Sequence, residues 1–150
     1  MLPARYDGQV CSIARSLEHI GERWTLLILR DMFLGVRRFD ALQRRLGIAR
    51  NVLTARLEKL VDEGIVERRP YSERPLRHDY RLTEKGRDLW PVLVALMQWG
   101  DRYAAPGGPP VVLRHLGCGG TLDDHRICER CGEALDVRDV QALRGPGAGG

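Results

Sequence analysis

Residues 38–83 read RFDALQRRLGIARNVLTARLEKLVDEGIVERRPYSERPLRHDYRLT, and the order of signals in this stretch decides the fold. Phe39, Leu42 and Leu46 recur at i, i+3 and i+7, the spacing of one apolar helical stripe, and Gly47 behind them predicts a left-handed cap. A second helix opens near Arg50. Leu53, Leu57 and Leu60 line one side of it, Asn51, Thr54, Ala55 and Glu58 project from the other, and Gly64 stops it. Ile65 and Val66 then begin a strand that breaks at Ser72-Glu73-Arg74-Pro75 and returns from Leu76 to Thr83. Tyr80 and Leu82 share one side of the return, and Arg77, Asp79 and Arg81 the other. An amphipathic helix alone is more often only packing. Two helices of about two and four turns followed at once by a basic hairpin instead predict a winged helix-turn-helix. In that geometry the second helix reads base edges in the major groove, and the hairpin meets the backbone, which offers charge without sequence information.

The flanking segments supply the rest of a helical domain. Ile13, Leu17 and Ile20 share a helical face that ends at Gly21, and the run from Trp24 to Leu34 is apolar on more than one side, the mark of a central helix. Behind the hairpin, Thr83 suits the cap of a helix beginning at Glu84. This helix is predicted to reach Tyr103, on the order of 30 Å, with a bend at Pro91. Its apolar residues, among them Trp90, Leu96, Trp99 and Tyr103, spread around more of the circumference than one core contact requires. The surplus predicts a homodimer, whose two-fold axis would set two reading helices about 34 Å apart on a palindromic site in double-stranded DNA. Trp24, Trp90 and Trp99 either line a pocket for a small-molecule effector between the dimer helices or are plain core.

Composition agrees with this and excludes other classes. A chain of 150 residues, 43% apolar and 29% charged, has room for one core and a small appendage. The formal charge is +4, but residues 37–87 carry 14 basic against 8 acidic side chains, so the positive field sits on the helix-turn-helix and hairpin. Of the 24 basic residues 22 are arginine, the side chain that pairs bidentately with guanine edges and phosphates, although a G- and C-rich genome gives the same bias. No secretory signal pattern and no run of about 18 apolar residues is present, so the expectation is a cytoplasmic protein with no membrane partner.

The expected organisation is a domain over 1–105, a Pro/Gly linker over 106–110, a small module over 111–140 and a disordered tail over 141–150. The module holds two turns of one form, His115-Leu116-Gly117-Cys118-Gly119 and Cys128-Glu129-Arg130-Cys131-Gly132, with nine residues between Cys118 and Cys128. Each presents two soft ligands, so His115, Cys118, Cys128 and Cys131 together predict a tetrahedral Zn2+ site in a zinc-ribbon-like unit. The segment from Thr121 to Ile127 would form a short hairpin between the turns. His125 in the same loop is the rival fourth ligand. Three cysteines within 14 residues of a cytosolic chain argue for metal over disulfides. Four protein ligands leave no position for water and no base lies beside them, so the zinc is expected to be structural and the protein not an enzyme.

Several motifs together resemble the HxlR-type winged helix-turn-helix regulators of the MarR-like superfamily. They are Cys11-Ser12-Ile13, Gly21-x-Arg23-Trp24-Thr25-Leu26-Leu27-Ile28-Leu29, Arg38-Phe39-x-x-Leu42, Leu53-Thr54-x-Arg56-Leu57-x-x-Leu60, Gly64-Ile65-Val66 and Tyr80-x-Leu82-Thr83-x-x-Gly86, covering about Gly8 to Tyr103. The resemblance implies a mainly α fold with a small β wing, and a homodimeric repressor or activator on palindromic operator DNA. It makes Arg50, Asn51, Thr54 and Arg56 contacts of the recognition helix, and Arg74 and Arg77 contacts of the wing. Arg56 flanks the leucine stripe and is equally placed to brace the helix against an acidic neighbour. Cys11 matches a cysteine through which several members sense oxidants; a helix amino terminus beside Arg15 lowers a thiol pKa, while a buried small hydrophobe is the other reading. With no resolving cysteine nearby in the core domain, a disulfide from Cys11 would join two subunits. The competing function class is a protein-interaction adaptor that docks partners on the winged helix and zinc ribbon.

Overall fold

Leu53, Leu57 and Leu60 lie along one face of a single helix, are at most 1% exposed, and share one buried cluster with residues of the elements before and after them. The structure, a computed structural model, describes residues 5–135 and 137–146; of the tail expected to be disordered, residues 147–150 lie outside the described residues. The chain divides into two units, Met1–Leu93 and Val94–Gly150.

In the first unit the order is α1 (Ser12–Ile20), α2 (Thr25–Phe33), α3 (Phe39–Leu46), α4 (Arg50–Asp62), the hairpin β1 (Val66–Glu73) and β2 (Leu76–Leu82), and α5 (Glu84–Arg87). Ile28 and Leu29 of α2, Leu42 of α3 and the three leucines of α4 form one buried cluster. Removing such side chains from water stabilises by about 1.5–3 kcal/mol each, so α4 is held chiefly by its leucines. The helix α2 is central, as its apolar breadth predicts, with Thr25, Ile28, Leu29, Asp31 and Met32 all buried. Gly47 ends α3 at φ +64, a left-handed step that a side chain would strain, and Ile48 turns inward behind it at 4% exposure. Trp24, just before α2, takes φ +82, which a bulky residue rarely adopts; it packs on the core beneath the Arg23 guanidinium, 5.5 Å from its ring.

The hairpin is antiparallel, with Val66 opposite Leu82 and Arg68 opposite Tyr80, and its register shifts between Pro70 and Ser72, where proline withholds a donor. Ile65 and Val66, each 2% exposed, root it in the core. At its far end the Thr83 hydroxyl donates to the Ile65 carbonyl (3.1 Å) and accepts from the Gly86 N–H (3.2 Å), the cap predicted for this position. A Cβ on Gly86 would stand 2.2 Å from the Ile65 oxygen, so no side chain fits there.

One expectation is corrected here. The helix predicted to run unbroken from Glu84 to Tyr103 is two, α5 and α6 (Trp90–Tyr103), interrupted at Asp88 and Leu89. Pro91 has no N–H to continue the ladder, and its ring would collide with the carbonyl of residue 87, so it is accommodated only in the first turn of a new helix. In the second unit β3 (Arg126–Ile127) pairs antiparallel with β4 (Ala134–Leu135), Arg114 bridges Thr121, and a 3-10 turn covers Val137–Asp139. The hairpin predicted over Thr121 to Ile127 is therefore not formed. Pairing encloses each cysteine turn instead of joining the two, because residues on either side of a tight turn are already opposed.

Asp31 is fully buried, yet it is satisfied: Arg30 Nε donates to it at 3.0 Å and Arg45 of α3 at 3.3 and 3.4 Å. Both arginines stay about half exposed, 48% and 49%. Asp31→Ala is expected to cost about 1–3 kcal/mol in urea unfolding through the loss of these bonds. Arg45→Ala should cost less, since Arg30 still partners the acid; the reverse order of losses would refute the assignment.

Candidate nucleic-acid interface

The outward side of α4 is set by the three leucines that bury the other side. Arg50, Asn51, Thr54, Ala55 and Glu58 are exposed and together line one shallow concavity. The Arg50 guanidinium lies 4.8 Å over the Phe39 ring, so its charge sits at the start of α4 while its stem is held by α3. Asn51 is exposed, and its amide carries a donor and an acceptor together, the set that matches adenine in the major groove. The Thr54 hydroxyl donates its one proton to the Arg50 carbonyl at 2.9 Å, which leaves the oxygen able only to accept from an outside group.

Arg56 is placed differently. Its Nη1 pairs with Glu22 at 2.9 Å and its Nε donates to the Arg23 carbonyl at 3.1 Å, so it braces α4 against the loop between α1 and α2. Lys59, one turn on, bonds the same Glu22 at 3.0 Å and the Glu18 carbonyl at 2.7 Å, and His19 Nδ1 meets Glu63 at 2.6 Å. Sequence reasoning singled out Arg56 but not Lys59, Glu18 or Glu22. The signal was present as Arg56 and Lys59 at i, i+3 on one helix, with the acidic Glu22 in the loop after another.

On the wing, Arg69 pairs with Glu67 (2.7 Å) and Arg81 with Asp79 (3.3 Å), which removes both from the free positive charge. Arg74 and Arg77 at the tip are exposed and have no carboxylate partner among the described residues. Arg38, which the sequence reading passed over as a site residue, lies 4.1 Å over the Tyr71 ring and so ties the start of α3 to the wing. Half-burial pushes the Tyr80 hydroxyl above its ordinary pKa, so it stays protonated and able to donate.

Cys11 is the residue preceding α1, extended and exposed, with the backbone N–H groups of Ala14 and Ile13 directed at its sulfur and Arg15 nearby. These amides hold its thiol below the usual cysteine range. The reading of Cys11 as a buried hydrophobe is thereby set aside. In the second unit His115 Nδ1 lies 3.1 Å from Cys118 Sγ, the Cys131 thiol is directed at the Glu133 carboxylate at 4.0 Å, and the Cys131 and Arg130 amides hold the Cys128 thiol below the usual cysteine range. The four groups come as two pairs, one to a turn. His125 faces Asp123 instead, accepting no share in either pair. Among the described residues the one group of three ligand atoms within 4.8 Å is Asp123, Asp124 and His125, all exposed. No helix is long and apolar enough to cross a membrane.

A polar helix face carried on a leucine stripe and flanked by an arginine-tipped hairpin defines the winged helix-turn-helix DNA-binding proteins. Residues 19–107 match the HxlR-like helix-turn-helix family, and the chain belongs to it. It is 54% identical over 147 residues to the "Uncharacterized HTH-type transcriptional regulator Rv3095" of Mycobacterium tuberculosis, covering 97% of this chain and 92% of that one. Among solved structures it is similar to the candidate transcription factor PA1607, with a TM-score of 0.80 at 40% identity over 90% of this chain and 95% of that one. The redox regulator HypR in its oxidised form is similar with a TM-score of 0.57 at 33% identity, over 61% of this chain and 96% of that one. The chain is accordingly a helix-turn-helix transcriptional regulator and not an enzyme. The similarity to Rv3095 and PA1607 runs into the second unit, whereas that to HypR covers less.

Different arginines should therefore respond differently to salt. Arg50→Ala and Arg74→Ala are each expected to lower the slope of log affinity against log salt by about 0.9 for each subunit bound, one phosphate contact apiece. Arg56→Ala, whose guanidinium is committed to Glu22, should weaken binding without changing the slope. Fluorescence anisotropy between about 50 and 200 mM salt reads both; a slope change for Arg56 alone would reverse these roles.

Proposed function

We propose that the protein is a homodimer that binds a palindromic operator in double-stranded DNA and represses neighbouring genes from the cytoplasm. The observation that carries this reading is the exposed face of α4, with Arg50 and Asn51 unburied beside the uncommitted Arg74 and Arg77 of the wing. Support for a second copy comes from apolar side chains left bare: Ile13 and Leu17 on α1 are 72% and 40% exposed, and Leu96, Trp99 and Tyr103 on α6 are 53%, 62% and 67% exposed. Such a surface is costly in water and is relieved by association. Two helices on a two-fold axis meet half-sites about 34 Å apart. Asn51→Ala is expected to weaken operator binding about 5- to 150-fold, the value of one bidentate base contact, and to leave binding to random duplex unchanged. Equal losses on both duplexes would remove Asn51 from base reading.

A specific observation favours redox control of this activity. Cys11 is exposed, its thiol is acidified by two backbone amides, and a similar chain is the redox regulator HypR. Diamide would oxidise the Cys11 thiols of two subunits to one disulfide, itself taking up the two electrons and two protons. Because its pKa is lowered, Cys11 holds its reactive thiolate at lower pH than an ordinary cysteine. Peptide-resolved alkylation by iodoacetamide should thus rise at lower pH for Cys11 in the folded protein than after unfolding in urea. Coincident profiles would refute the acidification, and DNA binding indifferent to diamide would end the redox reading. Trp90 and Trp99 are 42% and 62% exposed, which leaves each available to a small-molecule effector or a second subunit.

A further inference from the structure

The two cysteine turns of the second unit share one backbone. His115 N–H donates to the Gly120 carbonyl (2.7 Å) and Gly119 N–H returns to the His115 carbonyl (2.8 Å). Thirteen residues on, Cys128 N–H donates to the Glu133 carbonyl (2.8 Å) and Gly132 N–H returns to the Cys128 carbonyl (2.9 Å). Gly119 and Gly132 take nearly the same left-handed step, φ +78 and +77. Each turn is braced by its own pairing, Arg114 with Thr121 and Ile127 with Ala134. The ligand-type side chains occupy the first and fourth positions of each turn: His115 Nδ1 lies 3.1 Å from Cys118 Sγ in the first, and Cys128 and Cys131 stand at the same two positions of the second, with the Cys131 thiol 4.0 Å from the Glu133 carboxylate.

The first turn is also cleared for its side chains. A Cβ on Gly117 would stand 2.9 Å from His115 Cε1, and one on Gly120 would stand 3.3 Å from Cys118 Sγ. Backbone amides aim at the sulfurs, Gly120 N–H at Cys118 (3.4 Å) and those of Arg130 and Cys131 at Cys128. A disulfide cannot explain both turns, since the first pair is an imidazole and one thiol. One chemistry suits both: three thiolates and an imidazole, two from each turn, make a complete tetrahedral set for a soft divalent ion.

We propose that His115, Cys118, Cys128 and Cys131 hold one structural zinc ion that joins the two turns. The two turns stand apart, since no three of these four ligand atoms lie within 4.8 Å of one another. The ion supplies the missing link, drawing the preformed halves onto bonds of about 2.0–2.3 Å, so that binding and ordering of this unit are one event. The acidic neighbours are no rival site. Asp124 is held by Arg102 at 3.0 Å, and Asp123 and His125 satisfy each other. This inference is independent of the DNA-binding reading.

The test is anaerobic titration of the full-length, chelator-stripped and reduced protein with Co2+ and then Zn2+. Expected are one cobalt per chain, thiolate-to-cobalt charge transfer with the intense visible bands of a tetrahedral site, and displacement by one equivalent of zinc. Cys118→Ser and Cys128→Ser should each lose the spectrum, while His125→Ala and Cys11→Ser keep it. His115→Cys should retain the metal with the charge-transfer intensity of a fourth thiolate, a gain that a misfolded variant would not show. Absence of the thiolate spectrum in the unaltered chain, its survival in Cys118→Ser with Cys128→Ser, its loss in His125→Ala, or a Cys128–Cys131 disulfide persisting in reductant would each overturn the proposal.

Discussion

A helix that reads base edges must be held still, because hydrogen bonds to bases tolerate only small displacements. In this protein α4 is gripped on two sides at once. Leu53, Leu57 and Leu60 anchor it to α2 and α3, and Glu22 takes both Arg56 and Lys59 from its flank. The two grips differ in kind. Each leucine contributes about 1.5–3 kcal/mol, whereas ion pairs at this degree of exposure contribute about 0–1 kcal/mol each. The leucines therefore hold the helix down and set which side of it, that of Arg50, Asn51 and Thr54, faces outward, and the ionic contacts brace its flank.

The same division of labour runs through the arginines. Arg45, Arg56, Arg69 and Arg81 each meet a carboxylate of their own unit, while Arg50, Arg74 and Arg77 meet none among the described residues. A raw count of charge over residues 37–87 thus overstates how much is uncommitted; among the described residues the charge left without a carboxylate partner includes Arg50 at the start of α4 and Arg74 and Arg77 at the wing tip, with Arg44 on α3 and Arg68 on β1. The positive field is aimed by pairing as much as by composition.

Much of the fold was legible in the chain because its signals are local. The apolar periods of α1 to α4, the left-handed cap at Gly47 and the Thr83 cap each depend on residues within a turn of one another. What failed needed more than period. The run from Glu84 to Tyr103 looked continuous because its apolar residues are, and only the backbone shows that Pro91 opens a new helix instead of bending an old one. The role of Arg56 stayed open between base contact and brace, since its neighbour Glu22 lies 34 positions away in sequence and beside it in space.

The sequence by itself determined α1 to α4 and the wing hairpin, the apolar face of α4, and that two turns of ligand-bearing form follow the helical domain, all of which are properties of neighbours along the chain. Tertiary structure alone decided which arginines are committed and which are free, that Asp31 is buried but satisfied, that Cys11 is exposed, and that His115 sits with Cys118 while His125 faces Asp123. The reason is physical: charge and hydrogen-bond partners are chosen by distance, and distance between remote segments is fixed only when the core closes.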